Sequence, residues 1–452
     1  MDNVLDPLDQ FTFEAERATG VASMPHIFWV YDRPVDIDSL RTFQHLLRQG
    51  SLYRRVQPSP LPFGRHRWVL AEDPADIEIV AMPRPREELD AWLDEQATRP
   101  IDPEHGAGWH LAVLPFSDGG AAVSLVISHC LTDGIGLFTA IAAAADGHDS
   151  PISWPAAGSR RRWQALREDV RQTTRDIPSF GRGVAAAVRL ARRARNDAAG
   201  AAASTRPLRL PADASESFTP SVVTAFVDAV EWDTRAQALG GTSSVLLTGL
   251  AAHLAQRMGR VTEDGSVLMK VLVNERVPGD TRANAISSLS VTVNPATATT
   301  DLREMRAAVK RALTSHPETR DDERAVMAFV PLLGLLPKRF VRLSDNTVVS
   351  SSLGAVEPAV VRPDGADADL FGARVSYPTT TKASMDSVGG VLYVLSTTAL
   401  GRVSVAVTAY LPGCTNVGYN SNEALRQNLS NALNEFSLTG TYVGAAPNNF
   451  QS

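Results

Sequence analysis

The chain has few cysteines, few aromatics and no long uncharged apolar run. Only Cys130 and Cys414 are present in 452 residues. Two thiols so far apart make neither a disulfide framework nor a cysteine-based metal cluster, and they suit a reducing cytoplasm. No window approaches the roughly 18 apolar residues that a membrane-crossing helix needs. The opening Met1–Asp2–Asn3–Val4 is acidic and leads into no apolar core of a secretion signal. Net charge is −6, which excludes a general nucleic-acid binder. No glycine-rich phosphate loop, zinc-ligand spacing or solenoid-period repeat is found. What remains, 44% apolar and 21% charged residues, is the composition of an ordinary globular protein, long enough for two or more domains.

One stretch organises the rest. Ala121 to Ile127 is an apolar run that predicts a buried strand. It ends at Ser128, followed by His129, Cys130, Leu131, Thr132, Asp133 and Gly134, and then by small apolar residues from Ile135 to Ala145 that suit a buried helix. A histidine leaving a core strand faces a cavity rather than bulk water, a suitable place for a general base. Upstream, the pattern predicts strands at 25–30, 68–70, 77–80 and 109–115, and helices over 37–47 and 86–97. Asp118–Gly119–Gly120 predicts a hairpin into the histidine strand. His26, His45, His66, His105 and His110 are scattered singly and read as surface or satisfied core residues; His110 alone lies close enough in sequence pattern to approach the site.

Residues 156–212 change character. Arg160–Arg161–Arg162 opens a segment in which Arg189, Arg192, Arg193 and Arg195 stand among alanines and valines. It predicts one or two basic helices broken near Pro178–Ser179–Phe180–Gly181, then an Ala/Gly-rich linker from Asn196 to Thr205. Its bland reading is a solvated crossover between domains. The second reading is weak peripheral contact with a lipid surface, weak because the apolar face is largely Ala and Val. Beyond it, strands are expected at 222–230, 267–273, 289–293, 347–352, 391–395 and 403–411. Helices are expected at 233–239, 245–258, 302–313 and 422–436.

The order of these pieces resembles the condensation-domain acyltransferase superfamily that includes chloramphenicol acetyltransferase, and within it most of all the bacterial wax ester synthase/diacylglycerol acyltransferase family. The residues that carry the likeness are Trp109 to Leu114, His129-x-x-x-Asp133–Gly134, Ala238–Leu239–Gly240–Gly241–Thr242, Asn284–Ala285–Ile286–Ser287 and Ser350–Ser351–Ser352–Leu353–Gly354. The first of the family's two consecutive histidines is Ser128 here, its Asn-Asp after Gly-Gly-Thr is Ser243–Ser244, and its late Asn is Ser351 or Ser352. These departures bear on the substrate more than on the chemistry. They leave a specialised acyltransferase open beside a storage-lipid enzyme.

The resemblance implies an α/β (α+β) architecture of two chloramphenicol-acetyltransferase-like lobes, each a mixed sheet covered by helices, with a central channel. Residues 1–155 would form the lobe bearing His129, 156–212 the crossover and 213–452 the second lobe. It implies transfer of an acyl group from an acyl-CoA or acyl-carrier-protein thioester to a lipid alcohol or specialised metabolite, with no bound cofactor and no metal. His129 would be the base. Asp133 could orient it as in a triad, cap the helix, or, as the resemblance suggests, form a buried ion pair with an arginine, for which Arg276 is the candidate. Gly134 would let the helix start close to the loop backbone. Asn284, Ser351 and Ser352 are candidate oxyanion or substrate contacts. Cys130 as nucleophile is disfavoured, since adjacent residues leaving a strand point to opposite sides. The alternatives are a stand-alone condensation enzyme joining carrier-tethered substrates and a binding protein that kept the fold. The protein is expected in the cytoplasm, with any membrane contact peripheral.

Overall fold

Strand Met24–Tyr31 (β1) is buried along its whole length, because its alternate side chains face two different layers of helix and sheet. The computed structural model describes residues 3–71, 76–148, 152–197, 217–329, 348–378, 380–412 and 421–443. In the first half, helix α1 (Pro7–Thr19) precedes β1, and α2 (Ile37–Leu47), β2 (Arg54–Gln57), β3 (Arg67–Leu70), β4 (Glu78–Ile79), α3 (Leu89–Ala97), β5 (Trp109–Pro115), β6 (Ala121–Ile127) and α4 (Gly134–Ala145) follow. The long helix α5 (Arg162–Asp197) leads to β7 (Ser217–Phe218), β8 (Ser221–Asp228), α6 (Ala229–Ala238), α7 (Ser243–Arg257), β9 (Val267–Asn274), β10 (Ile286–Val293) and α8 (Arg303–Val326). The chain closes with β11 (Val348–Ala355), β12 (Leu370–Ser376), β13 (Thr380–Thr381), α9 (Lys382–Ser387), β14 (Val391–Ala399), β15 (Arg402–Tyr410) and α10 (Asn422–Glu435).

Two mixed sheets form the lobes. The first has the order β12-β1-β6-β5-β4 and the second β10-β9-β11-β14-β15-β8. β5 and β6 pair antiparallel around a turn whose Gly119 has φ 92°, the left-handed region that glycine enters without strain. In the second sheet β11 runs parallel to both β9 and β14, so the ends of β9 and β11 open on the same side. The helices begin where side chains satisfy their free N–H groups: Asp36 accepts from Asp38 and Ser39 ahead of α2, and Thr242 accepts from Val245 ahead of α7. Leu40, Phe43 and Leu47 then face the first core, and the almost wholly buried α7 fills the second.

Three expectations are corrected. The second half of the chain is not confined to the second lobe: β12 pairs antiparallel with β1 at the edge of the first sheet, and Leu395 and Ala406 pack into the first lobe's core. The lobes are therefore laced together, and no single sequence position divides them. The basic segment is one helix, unbroken at Pro178. Pro178 lies exposed, where water can solvate the carbonyl it leaves without a donor. Helix α8 likewise runs through Pro317 to Val326 rather than ending near 313. Helix α1 and strands β2 and β12 had no counterpart in the sequence reading. Most of the expected Ala/Gly linker, from residue 198 on, lies outside the described residues, as does Cys414.

Candidate active site

His129 is held by its backbone and free at its ring. The strand before it ends where Ser128 N–H donates to the Gly108 carbonyl at 2.9 Å and Leu131 N–H turns back to Ser128 at 3.0 Å. His129 N–H donates to Ser23 O at 3.1 Å, and its own carbonyl accepts from the Asn284 side-chain amide at 3.1 Å. The imidazole lines a cavity of ≈180 Å³ between the lobes, walled by Ile27 of β1, Leu272 and Asn274 of β9, Ser351 and Ser352 of β11, and Tyr393 of β14. Neither ring nitrogen is hydrogen-bonded to a described residue. A lone pair directed into a largely apolar cavity can accept a proton from a hydroxyl bound there.

Asp133 does not orient that ring. One carboxylate oxygen caps α4 by accepting from Gly136 N–H at 2.7 Å. The other accepts from Arg276 Nη2 at 2.8 Å and from Ala285 N–H at 2.7 Å. The triad geometry is thus absent, and the cap and the ion pair, given as alternatives, coexist. Arg276 is held in turn by the carbonyls of Asp280, Arg282 and Ala283. A carboxylate with both oxygens engaged and a guanidinium bonded to several carbonyls meet the condition under which a buried charge pair is tolerable.

Gly134 is placed otherwise than expected. A methyl there would meet the Leu353 side chain at 2.9 Å, not loop backbone. The tighter position is Gly136, where a methyl would come within 2.6 Å of Thr132 Oγ1 and 2.8 Å of Arg276 Nη2. The absence of a side chain at Gly136 is what lets the guanidinium reach Asp133.

The oxyanion candidates separate. Ser351 and Ser352 line the cavity. Ser352 Oγ accepts from Ser396 Oγ at 3.3 Å, and Ser351 hydrogen-bonds the Tyr393 hydroxyl, whose acidity burial suppresses. Asn284 is brought to the site but is not on the cavity wall: it holds His129 by the backbone. Cys130 points away into the first core, donating its thiol to Glu16 Oε2 at 3.0 Å. Burial and the neighbouring carboxyl push that thiol well above its usual range.

Two residues behind the loop escaped the sequence reading. Asp9 of α1 accepts from Ala283 N–H at 2.9 Å and Asn284 N–H at 2.7 Å, and burial pushes its carboxyl up to about 6 against the opposing charge of Arg54. Arg54 of β2, fully enclosed, donates to the carbonyls of Thr281 at 2.6 Å and Leu131 at 2.9 Å and lies 4.1 Å from the centre of the Trp68 ring. It bridges the loop from the second lobe to the loop that carries His129. No short motif marks either residue. The other histidines are occupied elsewhere: His26 with Ser124 and Arg374, His66 with Glu14, and His110 with Glu78 on the outer side of the sheet.

Residues 38–226 match the family described as wax ester synthase/diacylglycerol acyltransferase catalytic domain. The whole chain is similar in fold to the first condensation domain of the calcium-dependent antibiotic synthetase, solved with a substrate analogue (14% identity, 97% of each chain covered, TM-score 0.60). It is also similar to the wax ester synthase/diacylglycerol acyltransferase from Marinobacter aquaeolei VT8 (16% identity, 96% of this chain and 98% of that one, TM-score 0.53). A third likeness is to polyketide synthase associated protein 5 from Mycobacterium tuberculosis (12% identity, 94% and 96% covered, TM-score 0.54). No curated protein matches the sequence. The two-lobed fold is that of the condensation-domain and wax ester synthase proteins.

Proposed function

We infer that this chain, whose residues 38–226 match an acyltransferase catalytic domain, is an acyltransferase that moves an acyl group from a thioester to a hydroxyl by direct attack, with His129 as the general base. The observation that carries the reading is the unengaged imidazole at the cavity between the lobes, with Asp133 committed to Arg276 instead.

The chemistry balances on this chain's own groups. An imidazole nitrogen of His129 takes the acceptor's proton as its oxygen bonds the thioester carbon. The carbonyl becomes an oxyanion, within reach of hydroxyl donors such as those of Ser351 and Ser352. Collapse breaks the carbon–sulfur bond, and the thiolate leaves with the proton from the imidazolium. No acyl-enzyme is needed, and the enclosed Cys130 offers none. The thioester would be an acyl-CoA or an acyl carrier protein, and the acceptor a lipid alcohol or specialised metabolite.

The test is thiol release from acyl-CoA with alcohols of graded chain length, the ester being identified by mass. Ester formed in proportion to free thiol supports the reading. Turnover only with carrier-tethered donors and an amine acceptor would replace it with a condensation enzyme. Failure of every donor to release thiol above buffer would leave a binding protein that kept the fold.

A further inference from the structure

We propose that the outer face of α5 is a docking surface for a lipid surface bearing anionic headgroups. The helix has its apolar residues inside out. Towards α8 and the body of the protein it buries Ala165, Gly183 and Ala186, and a methyl on Gly183 would stand 2.7 Å from the Phe329 ring and 2.8 Å from the Ala325 carbonyl. Close approach on that side admits only small residues. The large apolar side chains face outward: Trp163 is 82% exposed, Val170 45%, Ile177 58%, Val184 55% and Val188 45%. Their spacing of seven, seven, seven and four residues makes one stripe along the helix. At 1.5 Å per residue the stripe is about 38 Å long. Solubility alone gives no reason to place these side chains in water and alanines against the protein.

Charge identifies the partner. Helix α5 holds nine arginines, no lysine and four acids, in a chain whose net charge is −6. Two of those acids are paired: Asp169 is buried against Arg67 and Arg160, and the exposed Glu168 also meets Arg160. Arg167, four residues after Trp163 and three before Val170, is exposed beside the stripe, and like Arg171 and Arg175 further round the helix it has no acidic partner among the described residues. Guanidinium groups bind phosphate oxygens two at a time. An apolar stripe edged by arginines is the pattern of a helix lying in the plane of a membrane interface, with tryptophan at the headgroup level. An acidic protein would satisfy the arginines but gives no account of the long apolar stripe. Among the described residues no single helix is long and apolar enough to cross a membrane, so contact would be lateral.

The placement also suits delivery. Beneath α5 lies a cleft of ≈530 Å³ that shares Pro7, Arg324 and Met327 with a second cavity of ≈430 Å³. The second cavity reaches Leu272 and Ile286, which also wall the His129 cavity. A lipid-borne substrate drawn from the surface under α5 would have a row of adjoining cavities leading to the imidazole. The delivery role rests on the acyl-transfer reading; the docking does not.

Co-sedimentation of the full chain with phosphatidylcholine vesicles, with and without phosphatidylglycerol, tests the docking. The protein is expected to pellet with the mixed vesicles, to be released by salt, and to stay in solution with phosphatidylcholine alone. Ile177→Asp with Val184→Asp, both exposed, should weaken the association roughly tenfold or more at an unchanged melting temperature. Arg167→Gln should weaken it roughly fivefold. Turnover of an acceptor dissolved in the vesicles should fall in the aspartate pair while turnover of a water-soluble acceptor is unchanged. Absence of pelleting, or an aspartate pair that pellets like the parent, would overturn the proposal. So would capture of a soluble acidic protein through the same arginines without any vesicle binding. Pelleting is read without turnover, so a failure of the acyl-transfer reading is distinguished from a failure of docking.

Discussion

Asp133 and Arg276 meet at 2.8 Å across the two lobes, and the same carboxylate holds the N-terminus of α4 and the backbone of Ala285. One side chain therefore sets the loop carrying His129 against the loop of the opposite lobe. Removing it strands a buried guanidinium, and Asp133→Ala is expected to cost about 3–5 kcal/mol in urea unfolding. A double-mutant cycle with Arg276→Met should return a coupling of about 0.5–3 kcal/mol; additive losses would deny the pair.

Gly136 and Gly134 differ in what opposes them, so their alanine variants should differ. A methyl at 136 is driven against Arg276 and Thr132, both already committed to hydrogen bonds. Gly136→Ala should destabilise by about 1–3 kcal/mol. A methyl at 134 meets only the movable end of Leu353, a wall of the His129 cavity. Gly134→Ala should therefore melt near the parent temperature but turn over bulky acceptors more slowly, which calorimetry and a chain-length series would check.

The strand–loop–helix unit was legible because everything it needs is local: an apolar run, a hairpin signal before it and an acidic cap after it. The Asp133–Arg276 pairing was reachable only through the order of motifs over the whole chain. Asp9 was not reachable at all. Its contacts lie at Ala283 and Asn284, and nothing near it in sequence distinguishes it from a surface acid on an amphipathic helix. For Asn284 the motif led to the right place and the wrong role, since spacing does not say whether an amide turns to the cavity or to a backbone carbonyl. Strand β12 has no counterpart in the sequence reading, and nothing local to Leu370–Ser376 says that it will take the edge of the first sheet beside β1. Pro178 argued for a break in the basic segment; the tertiary packing of α5 along α8 overrides it.

The thiol of Cys130 is enclosed, bonded to Glu16 and held in its protonated form. Cys130→Ala is expected to retain most of the transfer rate, and thiol reagents should label the folded protein only as fast as it opens. A loss as deep as that of a base variant, together with a trapped acyl-cysteine in the parent, would instead mark it as the nucleophile.

Glu16 supplies a pH test. Burial raises its carboxyl from 4.5 to about 7, against the opposing donors Cys130 and Ser23. A carboxyl raised on folding binds its proton more tightly in the folded state, so its contribution is present at low pH and is lost as pH rises towards the folded value. Glu16→Gln, which keeps an acceptor of the same shape, should gain stability relative to the parent between pH 4.5 and about 7 and hold that gain above it. Melting curves of both proteins across this range would check it. A gap that closes with rising pH would show that the carboxylate is stabilised, not penalised, where it sits.

Single-turnover thiol release by His129→Ala, beside the parent and at matched melting temperature, bears most directly on the central claim. With the ring gone and its backbone bonds to Ser23 and Asn284 intact, the rate should fall by roughly 10²–10⁴, while acyl donor and acceptor still bind. A folded His129→Ala protein that transfers acyl groups within a few-fold of the parent would contradict the assignment of the base.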